Sequence, residues 1–215
     1  MKDIVAHFES LGANCEFGFV QRAAGLEPQS LLRWAMVLAP TNLARALDAD
    51  FDGLYGFDNL VPFNAQMVLD NRFRIAFHSA LHSTSAKFDD SEEDRRDIHR
   101  FEAAKVADQI VKFRAVLASG ERIFVFHKYF GEITPAEIAT LFTALRRRGP
   151  ARLLVVSLAT PDEPPGSVSL LAPGLLQGRI DRFAPGNKAH DVSLDSWTEI
   201  CRKALELAPN AGQSG

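Results

Sequence analysis

The apolar positions of this chain switch between two periods, and the switches mark its elements. Across residues 93–119, Ile98, Phe101, Val106, Ile110, Phe113 and Leu117 recur mostly at threes and fours. That spacing predicts one long amphipathic helix, stopped by Gly120. Residues 72–79 instead alternate, with Phe73, Ile75 and Phe77 set against Arg72, Arg74 and Ala76, which predicts a strand. Residues 122–129 (RIFVFHKY) and 152–158 (RLLVVSL) predict two more, and the second, apolar on both faces, belongs at the centre of a sheet.

Short helices are expected over 14–24, 30–38 and 42–47, the first ended by Gly25. A further helix covers 134–148, where Thr134-Pro135-Ala136-Glu137 fits a capping box with proline at its first position. A last helix runs over 193–207. Residues 4–11 read as a strand, and 168–183 as one or two strands about a Gly-Leu-Leu-Gln-Gly turn. Loops are expected at 82–94 and 160–166, the second because its three prolines exclude helix and central strand. The second half therefore alternates strand and helix. The expected fold is α/β: three layers, with a mostly parallel sheet flanked by helices and ligands outside the carboxyl ends of its strands.

Composition adds limits rather than detail. A chain of 215 residues suits one domain, here 1–208, followed by a small polar tail over 209–215 that is expected to fray. Sixteen Phe against two Tyr and two Trp predict a core built largely on phenylalanine. A net charge of −3 argues against a broad nucleic-acid footprint. No apolar run is long enough to span a bilayer, and the opening residues are neither basic nor apolar enough for a secretory signal. Two isolated cysteines, Cys15 and Cys201, give no disulfide framework and no zinc spacing, so a cytoplasmic location with reduced thiols is expected. Nucleotide-binding glycine motifs are missing, and neither metal nor organic cofactor is implied. Nothing in the pattern specifies a substrate or an oligomeric state.

The sharpest candidate for chemistry is Ser10-Leu11-Gly12-Ala13-Asn14-Cys15-Glu16-Phe17-Gly18. It reads as strand, tight turn and helix start, with Cys15 in the first helical turn. The positive end of the helix dipole there favours a thiolate, so a depressed pKa is expected. Equally, a lone cysteine is often just a small buried apolar residue. A nucleophilic thiol needs a base near it in space. His82, ahead of His78, is the expected base, since both fall at the end of the 72–79 strand or in the loop after it. His190, oriented by Asp191 or Asp195, is the alternative. His127 reads as a half-buried strand residue, and His7 and His99 as surface or packing residues. Asn14 is expected to cap the helix or, with the amides that open it, to stabilise an oxyanion.

The same opening segment resembles bacterial proteins proposed to be papain-like cysteine peptidases, whose pattern is serine-leucine-glycine, a variable residue, then asparagine-cysteine. The longer form Asn14-Cys15-Glu16-Phe17-Gly18-Phe19-Val20-Gln21-Arg22 is similar to a proteobacterial subgroup associated with cell-surface polysaccharide genes. The resemblance implies Cys15 as nucleophile with His78 or His82 as base. Arg33 precedes Trp34 where the wider family has aspartate, so no role passes to that position. The expected activity is a thiol-dependent hydrolase or acyl transferase. The alternative is a non-catalytic sugar- or partner-binding protein in polysaccharide synthesis, with Cys15 structural.

Overall fold

Alternation along two buried strands builds the layers. The computed structural model describes residues 1–84, 86–128 and 131–208. In β6 (Ile123–His127), Ile123 and Val125 enter one core while Phe124 and Phe126 enter the other. β7 (Arg152–Leu158) repeats this, with Leu154 and Val156 on the first side and Leu153 and Val155 on the second. These strands are buried on both faces, as a parallel sheet requires. β1 (Phe8–Ser10), β6, β7 and β9 (Leu175–Ile180) pair in parallel, and β8 (Val168–Ala172) closes the edge antiparallel to β9. The order β1-β6-β7-β9-β8 puts β7 at the centre.

One face of this sheet packs against α1 (Lys2–Val5), α2 (Glu16–Ala23) and α6 (Leu194–Leu207), around Phe17, Trp197 and Ile200. The other packs against α3 (Pro40–Asp48), α4 (Glu92–Ser119) and α5 (Pro135–Arg146), around Leu43, Phe113 and Leu141. The α/β fold with a mostly parallel, helix-flanked sheet is therefore present. α4 is capped by the Ser91 hydroxyl, which accepts the Asp94 N–H, and ends at left-handed Gly120. The capping box at Thr134 and Glu137 forms in full. Among the described residues no helix is long and apolar enough to cross a membrane.

A second sheet departs from the expected plan. β2 (Met36–Val37), β5 (Ile75–His78), β4 (Met67–Asp70) and β3 (Leu60–Asn64) pair antiparallel in that order. Val68, Ile75 and Phe77 join the core shared with the first sheet, while Met67, Leu69 and Ala76 make a small outer cluster. Residues 30–38 are turns leading into β2, not a helix. Buried Arg33 explains this, because its guanidinium donates to the carbonyls of Gly18 and Leu26 and to Glu27. Residues 4–11 are a short helix and a three-residue strand rather than one strand. Gly174 to Gly178 does not turn, since the hairpin bends at Pro173-Gly174 and the rest lies in β9. Phe101, expected on the buried stripe of α4, is 66% exposed with the Lys105 ammonium 4.0 Å from its ring centre. The tail from Pro209 lies outside the described residues.

Gly12 joins the two sheets. Its carbonyl accepts the Val37 N–H of β2, just after the Leu11 N–H has paired with Val125 of β6. It takes φ of +71°, and a Cβ there would stand 2.5 Å from the Leu32 carbonyl oxygen. Gly12→Ala is expected to cost at least about 2 kcal/mol, since strained backbone and a main-chain clash coincide. Urea denaturation checks this, and a loss below about 0.5 kcal/mol would mean that the turn adjusts freely.

Candidate functional site

Three parallel strands end together, and the site grows from their ends. The chain leaving β1 carries Asn14 and Cys15, β6 ends on His127, and the chain leaving β9 carries Phe183 and Ala184. Cys15 is the N-cap of α2 and is partly buried. Its Sγ lies 3.7 Å from Nε2 of His78, the exposed last residue of β5 in the second sheet, and 3.9 Å from the Trp34 carbonyl oxygen. The thiol and the imidazole thus come from different sheets. Trp34 approaches α2 because Gly18 has no side chain there: a Cβ would sit 2.8 Å from the indole. Burial pushes the Cys15 thiol up from its ordinary value, opposite to the expected lowering. The resting group is a thiol.

His82 is placed otherwise than expected. Its ring is 77% exposed and its Nδ1 pairs with Asp90 at 3.2 Å, while Asp90 also accepts its main-chain N–H. The structure brings His78, not His82, to Cys15. His78 ends, and His82 follows, an antiparallel strand rather than a parallel one. His190 is exposed and lies edge-on to Phe19, with ring centres 6.1 Å apart. Asp191 does not orient it, because that carboxylate is held by Arg182 at 2.9 Å.

Behind Cys15 is a buried polar network that the sequence pattern gave little sign of. Asn14 Oδ1 accepts the Glu16 N–H at 2.8 Å and faces His127 Nε2 at 3.1 Å. Glu16 is fully buried, and its two oxygens accept from Trp197 Nε1 at 2.9 Å and from the Ala184 N–H at 3.0 Å. Burial raises the Glu16 carboxyl, partly offset by Trp197, Ala184, Arg182 and the Asn14 side chain. Asn14 Oδ1 is therefore engaged on the inner side of the turn.

His127 is fully buried rather than half-buried, stacked on Phe183 with ring centres 4.9 Å apart, and burial lowers it to about 4. It is neutral at ordinary pH, and its Nε2–H is the donor to Asn14. The one signal for Glu16 was its place four residues before Val20 and eight before Ala24, on the buried side of α2.

Beside His78 opens a cleft of about 230 Å³, walled by Trp34, Tyr55 and Phe77 and by Glu102, Val106 and Gln109 of α4. Glu102 accepts from the Tyr55 hydroxyl at 2.7 Å, the Ser79 hydroxyl at 2.7 Å and the Ala80 N–H at 2.8 Å. It thereby ties the two residues after His78 to α4. Among the described residues no group of three His, Cys, Asp or Glu side chains is placed to hold a metal ion. No family model matches this chain, and no curated protein or solved structure matches it either.

Proposed function

We propose that this protein is a thiol-dependent hydrolase or acyl transferase of the reducing cell interior, with Cys15 as nucleophile and His78 as base. The observation that carries the reading is the 3.7 Å approach of Cys15 Sγ to His78 Nε2 at the start of a helix. Such contacts are often long without substrate and tighten when it binds. The Ser10–Cys15 segment adds its resemblance to the proposed papain-like peptidases.

Because the thiol is protonated at rest, His78 removes its proton as sulfur attacks a carbonyl carbon. It then returns the proton to the leaving group. The first intrahelical bond of α2 joins the Phe19 N–H to the Cys15 carbonyl, so the earlier amides precede the helix ladder. Those of Cys15 and Phe17 are the donors assigned to the developing oxyanion.

Pulse alkylation with iodoacetamide at neutral pH, read by mass spectrometry, tests the pair. His78→Ala is expected to slow labelling of Cys15 at least about tenfold, and His82→Ala to leave it unchanged. Labelling indifferent to both variants would remove the base and favour a binding protein with a structural Cys15. Slowing by His82→Ala alone would return the role to His82.

A further inference from the structure

We infer that the cleft beside His78 binds the acyl half of the substrate, and that this acyl group is apolar and uncharged. The inference rests on the reading of Cys15 and His78 as the reacting pair. Both partners of the Cys15 thiol border the cleft, since His78 and Trp34 line it. A carbonyl carbon at Sγ therefore has its substituent beside the opening. The interior offers aromatic and aliphatic surface from Trp34, Tyr55, Phe77, Leu31, Ala35 and Val106.

Its carboxylate is already engaged. Glu102 takes three hydrogen bonds from the protein, and the Lys105 ammonium lies over the Phe101 ring. Glu102 therefore needs no ionic ligand. The volume of about 230 Å³ has room for about eight water-sized groups. That suits an acyl chain of middle length or the apolar side chain of an aminoacyl group.

In the step read out, the Cys15 proton passes to His78 Nε2 as sulfur bonds to the carbonyl carbon and the π pair moves to oxygen. Collapse of that oxyanion expels p-nitrophenolate and leaves a thioester on Cys15. The proton then leaves His78 for solvent. The probes are p-nitrophenyl acetate, butyrate, hexanoate and octanoate, with N-acetyl-leucine p-nitrophenyl ester as a second arm. Mass spectrometry locates the thioester.

Each methylene that leaves water raises kcat/KM up to about fourfold, so hexanoate is expected to outpace acetate at least about tenfold with partial burial. Val106→Phe and Gln109→Trp, which fill the cleft, should bring the hexanoate-to-acetate ratio towards one. Gln109, half-buried on the helix surface, keeps the test open if Val106→Phe fails to fold. Hexanoate ahead of the leucine ester assigns a straight chain, and the reverse order an aminoacyl group. A flat series with Cys15 still acylated, or ratios untouched by both variants, overturns the cleft assignment alone. No thioester from any ester overturns the underlying thiol chemistry.

Discussion

Cys15→Ser is expected to fold like the parent protein and to lose acylation by p-nitrophenyl acetate at least about 10³-fold. The substitution changes one atom. The polar contacts of Cys15 Sγ are long, 3.7 Å to His78 and 3.9 Å to the Trp34 carbonyl, and serine keeps its shape, so little stability is lost. A melting temperature within a few degrees of the parent, equivalent to less than about 1 kcal/mol, should accompany the loss. No other thiol replaces it. Cys201 is completely buried in α6, and burial pushes it up even further than Cys15.

Since burial also raises Cys15, the parent rate should climb with pH beyond neutrality, without the acid plateau of a preformed thiolate. Stopped-flow release of p-nitrophenolate measures both. A Cys15→Ser protein that keeps the parent rate would make Cys15 structural and leave a binding role in its place.

The parts legible in the sequence were those whose local pattern and tertiary role agree. β7 was read with its bounds and its central place because the unbroken apolar stretch Leu153 to Val156 fills both faces of a strand. α4 and α5 announced themselves through period, caps and terminal glycine or proline. The second sheet was hidden because its strands are short and its local signals point elsewhere. β3 contains Pro62, tolerated only because β3 is an edge strand, and its register shifts beside that proline.

Its β4–β5 turn depends on Asp70, fully buried, whose carboxylate accepts the N–H groups of Tyr55 and Phe73. Nothing in the residues around Asp70 says that Tyr55 will arrive there. The candidate site divides in the same way. Cys15 and His78 were legible as chemistry, but choosing between His78 and His82 required the Asp90 contact that holds His82 away. Glu102 and the Glu16–Asn14–His127 network are long-range contacts that no spacing rule reaches.

That network should make stability depend on pH in a direction set by His127. Unfolded, the imidazole takes a proton at its ordinary 6.5, whereas in the fold burial lowers it to about 4. Between those values the unfolded chain binds a proton that the native protein refuses. Stability from His127 is complete above 6.5 and falls as the pH drops, by about 3 kcal/mol at pH 4. Glu16 acts in the opposite sense. Its buried carboxyl is raised, so its contribution is present below its ordinary 4.5 and is lost as pH rises through the raised value.

The two side chains are 3.8 Å apart, so the parent curve mixes them. His127→Gln separates them, because glutamine places an N–H donor towards Asn14 Oδ1 and does not titrate. Urea denaturation of both proteins from pH 7.5 to 4 should give a constant difference above 6.5. Below it the parent should lose about 3 kcal/mol relative to the variant. A difference that stays flat to pH 4 would mean that His127 accepts its proton inside the fold, with the Glu16 carboxylate as its counter-ion.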